Sequence, residues 1–181
     1  MGRLGRRAFL AMVGWVAAGR SLLAQGRGRL RFLPLSRPVQ VPLEALPAPG
    51  RVRRFVAQGV APESAANPGE TVRINGMVTR VEDGDAAPER FRAVCRVCPH
   101  EQCDVDFVAD PAELDPLVLE ETGAIDDPVY LCPCHNSTFA TADGTRLGGP
   151  APRGLYQFRV TGVTETDVVI GEVEEDVLLF F

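Results

Sequence analysis

From Val39 onward, apolar residues recur at every second position in short runs separated by turn residues. That period places alternate side chains on one face of a strand. It predicts strands over Val39–Leu43, Val52–Ala57, Thr71–Val81, Phe91–Val97, Val105–Val108, Val129–Leu131, Gln157–Val163 and Val168–Val173. Pro42, Pro47, Pro49, Pro62 and Pro68 punctuate the early part, and Asp83-Gly84-Asp85 and Thr164–Asp167 read as hairpin turns. No helical period is sustained, and one short turn of helix is predicted within Asp110–Glu121. The pattern is that of an all-β domain over residues 39–181, built from small antiparallel sheets. There are no internal repeats and no low-complexity tract.

The first residues follow a different pattern. Ala8–Gly19 is a moderately apolar run of about a dozen residues, short of the roughly 20 that span a bilayer. Arg20 interrupts it before Ser21-Leu22-Leu23-Ala24 resumes. Ahead of it, Arg6-Arg7-Ala8-Phe9-Leu10 is a twin-arginine pair followed by aromatic and aliphatic residues, the address of proteins exported already folded. If the helix continues to Ala24, Arg20 snorkels to the interface and the segment anchors the protein. Otherwise Leu22-Leu23-Ala24 offers a cleavage site. Residues 1–25 therefore read as a twin-arginine signal or a membrane anchor, and the glycine-bearing stretch 26–38 as a flexible linker. The domain beyond is expected on the periplasmic side of the cytoplasmic membrane, and membrane-associated.

Charge sharpens the division. All 19 basic residues are Arg; seven of them (Arg3, Arg6, Arg7, Arg20, Arg27, Arg29, Arg31) precede residue 32, where there is no acid. Residues 32–181 carry 12 Arg against 24 acids, a formal charge of −12 beneath the net −5. A domain of that sign argues against nucleic acid and for a basic protein partner.

The candidate chemistry lies in two boxes, Cys98-Pro99-His100-Glu101-Gln102-Cys103 and Cys132-Pro133-Cys134-His135-Asn136-Ser137. They hold four of the five cysteines and both histidines of the chain. Each contributes one Cys and one His, Cys98/His100 and Cys132/His135, and each carries a further cysteine, Cys103 or Cys134. Two Cys and two His suit a structural zinc ion. They equally suit a 2Fe–2S cluster with two thiolates on one iron and two imidazoles on the other. A zinc site leaves the extra cysteine of each box without a purpose, along with Gly148-Gly149-Pro150-Ala151-Pro152 downstream.

On these residues the chain resembles the Rieske iron–sulfur proteins, and most closely their high-potential branch, the type found in cytochrome bc and bf complexes. The resemblance implies a Rieske 2Fe–2S cofactor, with Cys98, His100, Cys132 and His135 as metal ligands and a cluster-binding part at about residues 95–153. It implies a disulfide between Cys103 and Cys134, in keeping with an exported protein. Gly148–Pro152 takes the place of a proline-rich loop covering the cluster, and Ser137 that of a serine whose hydroxyl bonds a cluster sulfur. Cys95 falls outside the pattern and reads as a buried free thiol.

Three positions depart from the pattern. Phe139 stands where many relatives have a tyrosine that bonds a cysteine sulfur. Asn136 replaces the glycine after the second histidine, and Asn tolerates the left-handed conformation best among non-glycines. Glu101 replaces an apolar residue after the first histidine; a carboxylate there favours a charged imidazole and interrupts an apolar quinone-docking surface. Between His100 and Cys132 lie 31 residues, with acid-rich Asp110–Asp127 as a surface excursion.

The function the resemblance implies is electron transfer, non-catalytic alone, as a subunit of a quinol–cytochrome c reductase. The cluster takes an electron and a proton from quinol, and the head delivers the electron to a c-type cytochrome, with cytochrome b as the other partner. The alternative is the small subunit of an exported molybdenum enzyme such as arsenite oxidase, with a molybdopterin subunit as donor. An export signal and the spare cysteines speak against a soluble oxygenase ferredoxin.

Overall fold

The structure, a computed structural model, describes residues 30–179. The expected signal or anchor, residues 1–25, lies outside the described residues. Among the described residues no helix is long and apolar enough to cross a membrane.

Among the described residues, ten strands form two antiparallel sheets: β1 (Phe32–Pro42), β2 (Val52–Val60), β3 (Thr71–Arg80), β4 (Phe91–Cys95), β5 (Asp106–Val108), β6 (Val129–Leu131), β7 (Thr138–Ala140), β8 (Arg146–Gly148), β9 (Gln157–Val163) and β10 (Asp167–Glu174). The larger sheet has the order β1-β10-β9-β4-β3-β2 and curls so that its edge strands β1 and β2 lie alongside each other. The smaller sheet has the order β5-β6-β7-β8 and is inserted in sequence between β4 and β9. One short helix, α1 (Pro116–Thr122), lies in the segment joining β5 to β6. The all-β expectation holds: among the described residues the one α-helix lies where a turn of helix was predicted, and short 3-10 turns lie there and elsewhere.

The linker expected over 26–38 ends early, because β1 already begins at Phe32. Pro34 and Pro38 disguise it. Proline cannot donate to a ladder, yet it is tolerated at a sheet edge or a bulge. β1 is an edge strand, and its pairing with β10 shifts register between Pro34 and Val39. Its start is pinned by the Arg31–Glu175 ion pair at 2.9 Å and by the Arg159 guanidinium over the Phe32 ring.

Alternation along β3 and β4 feeds two cores. Val72, Ile74 and Val78, with Phe91, Ala93 and Cys95, face the interior of the larger sheet. Met77 and Val94 point the other way, into a core shared with Val105, Tyr130, Phe139 and Leu155. The smaller sheet thus sits on the outer face of β3 and β4. The Tyr130 hydroxyl spans the seam, 2.7 Å from the Thr79 hydroxyl. Burial beside that bond pushes the Tyr130 phenol up to about 12. At the rim, Asp106 accepts from Arg54 at 2.7 Å and Arg96 at 3.1 Å, fastening β5 to β2 and to the segment after β4.

Candidate metal centre

Each box is the loop that leaves a strand of this framework, the first after β4 and the second after β6. Both loops close in the same way. The Cys98 amide donates to the Cys103 carbonyl at 2.9 Å, and the Cys132 amide to the Ser137 carbonyl at 2.8 Å. In each, the residue before the closing one is left-handed, Gln102 at φ 61° and Asn136 at φ 58°. The boxes are therefore conformational copies of one turn. Asn136 takes the left-handed conformation its residue type allows. Gln102, which carries no such tendency, is a feature that the residue type does not announce.

The cysteines divide as the resemblance implies. Cys103 and Cys134 form a disulfide tying one box to the other across 31 residues of chain. Cys98 and Cys132 are buried free thiols at the base of the two loops, in the core with Tyr130 and Phe139. Burial raises the Cys98 thiol above its ordinary value, and its contact with the Cys132 sulfur raises it further. Hydrogen bonds from the His100 amide and the Ser137 hydroxyl oppose this. Two buried thiols side by side in an apolar base, with donors aimed at one of them, are preorganised to be taken together as a thiolate pair. A cation takes both in that form.

The two imidazoles lie at the outer side. The His100 and His135 rings meet edge to face, their centroids 4.9 Å apart, with the His135 side chain half exposed. Glu101 faces His135 of the other box, with its Oε2 3.8 Å from Nδ1. The donor atoms of His100, Glu101 and His135 all lie within 4.8 Å of one another.

Gly148–Pro152 closes the third side. The Ala151 amide donates to Ser137 Oγ at 3.1 Å, and a Cβ on Gly149 would lie 2.4 Å from the Ser137 Cα. Gly149 is also left-handed, at φ 84°, so both conformation and space demand glycine there. Cys95 stands apart in the larger sheet's interior, where burial pushes its thiol up to about 12. It is a core residue, as its strand position suggests.

Two inward thiols and two outward imidazoles on disulfide-tied β loops suit an iron–sulfur protein with mixed cysteine and histidine donors. The model of the Rieske [2Fe-2S] domain matches residues 58–159, and the chain belongs to that family, whose cofactor is the 2Fe–2S cluster. The chain is similar to the cyanobacterial plasma membrane Rieske protein PetC3 from Synechocystis PCC 6803. They share 22% identity at a TM-score of 0.34, over 63% of this chain and 84% of that one. No curated protein matches.

Proposed function

We propose that the protein is the electron-transfer iron–sulfur subunit of a quinol–cytochrome c reductase, with its cluster-binding part at about residues 95–153. Cys98 and Cys132 supply the thiolates, His100 and His135 the imidazoles, and Ser137 the hydroxyl to sulfur. When bound, the cluster supplies a one-electron couple made oxidising by neutral imidazole ligation. The observation that carries the reading is the pair of rings at the outer edge, 4.9 Å apart and accessible at His135. A ring nitrogen of either histidine that is not committed to metal accepts a hydrogen bond from the quinol hydroxyl, then holds its proton. The residues beneath keep water from the thiolates, since Cys98 and Cys132 are 1% and 2% exposed. An acidic domain suits a basic c-type cytochrome as the acceptor.

One observation favours a second reading, the relay subunit of an exported molybdenum enzyme. Exposed Glu101, beside His135, places a carboxylate where an apolar quinone would dock. A potentiometric titration from acid to alkaline pH tests whether the site can take the proton that the first reading requires. In the quinol reading the midpoint potential is flat at low pH and then falls by about 59 mV per pH unit, one proton per electron. A potential independent of pH into strongly alkaline conditions leaves a simple one-electron relay and contradicts it.

A further inference from the structure

The acidic excursion between the boxes is a folded element. Asp110 Oδ1 accepts from the Ala112 amide at 2.9 Å, and Asp115 Oδ1 caps α1 by accepting from Leu117 at 2.8 Å. Leu114 and Val118 are buried against Val129 in a small core of their own. That packing holds the end of α1 beside β8, where a Cβ on Gly148 would come within 2.6 Å of Thr122 Cγ2. There Glu121 Oε1 accepts from the Gly149 amide at 2.7 Å, and Arg146 donates to the Gly149 carbonyl. Gly149 rests on the backbone of Ser137, and Ala151 two residues on donates to the Ser137 hydroxyl.

We propose that the excursion Asp110–Asp127 is a brace for the proline-rich loop, and that Glu121 is the positioning residue that seats this loop on the second box. The inference rests on the reading of the boxes as the cluster site. A peptide amide bound to a carboxylate is held more strongly than one bound to a neutral acceptor. With Gly149 fixed, Ala151 stays on the Ser137 oxygen. The Ser137 hydroxyl proton is then free to point at the Cys98 sulfur, the contact that lies between them. Glu121 thus acts on the centre through the loop, touching neither sulfur nor imidazole.

The test uses the full-length holoprotein and three variants, Glu121→Ala, Glu121→Gln and Glu120→Ala. The last removes an exposed acid from the same helix and leaves Gly149 alone. Two quantities are read: amide exchange over residues 147–152, and the rate at which a chelator strips iron. Loss of one charge-assisted bond predicts exchange about tenfold faster in Glu121→Ala, with iron loss accelerating in step. Glu121→Gln, which keeps an acceptor oxygen, returns most of the protection, and Glu120→Ala matches the wild type. A second pair is independent of charge. Gly148→Ala drives a methyl into Thr122 and loosens the loop, and adding Thr122→Ser, which removes the opposing methyl, restores it. Exchange unchanged in Glu121→Ala, or equally fast in Glu120→Ala, overturns the brace. Failure of the wild type to show a mixed-ligand 2Fe–2S spectrum overturns the cluster reading instead, and leaves the exchange result standing for the loop.

Discussion

At the scale of single residues, the site rests on small polar contacts in an apolar base. Ser137 is fully buried, with its oxygen taken by the Ala151 amide and its hydroxyl against the Cys98 sulfur. A donor to a sulfur ligand stabilises the reduced, more negative cluster and so raises its potential. Ser137→Ala is expected to lower the midpoint potential by some tens of millivolts while the mixed-ligand spectrum keeps its type. An unchanged potential would show that the hydroxyl does not reach the cluster. Residue type made the left-handed Asn136 legible, and the resemblance pointed to Ser137 and to Cys98, His100, Cys132 and His135, which the two loops bring to one place. Gln102 was not legible, since glutamine has no leaning toward positive φ; the only available signal was its place in a loop that repeats the second one. Nor could sequence say which histidine Glu101 meets, because its partner, His135, comes from the other loop.

At the scale of elements, the disulfide decides how well the two loops stay in register. Closing a loop of 31 residues removes chain entropy from the unfolded state worth roughly 3–4 kcal/mol in the loop-closure account. Replacing Cys103 and Cys134 with Ser is expected to yield protein that loads cluster poorly and loses it faster. Thiol mapping of the protein should find both residues oxidised, and finding both free would contradict the pairing. The eight predicted runs all overlap a strand, because half-buried strands advertise themselves by alternation, though Val39–Leu43 meets only the end of β1. β7 and β8 were missed. Thr138–Ala140 follows the second box without a turn signal, and Arg146–Gly148 offers a single large apolar residue, Leu147, to mark a strand. β1 was shortened by its prolines. α1 was anticipated as a turn, but its task of holding Gly149 was not, since that contact spans 28 positions.

At the scale of the whole molecule, a six-stranded sheet carries a four-stranded one, and the candidate metal donors lie in one loop from each, after β4 and after β6. Cys98 and Cys132 are buried in the core shared by the two sheets, and the His100 and His135 rings lie toward the surface. The twin-arginine reading adds that the protein leaves the cytoplasm folded, with its metal already in place. Changing Arg6 and Arg7 to Lys is expected to leave the precursor in the cytoplasm, as cell fractionation would report, and normal export of that variant would contradict the signal. The central claim, that Cys98, His100, Cys132 and His135 hold a 2Fe–2S cluster, is tested most directly by iron, sulfide and zinc analysis with electron paramagnetic resonance of the reduced protein. About two iron and two sulfide per chain are expected, with a spectrum of the mixed Cys/His type that disappears when any of the four is replaced. One zinc per chain, with no iron or sulfide, would contradict it.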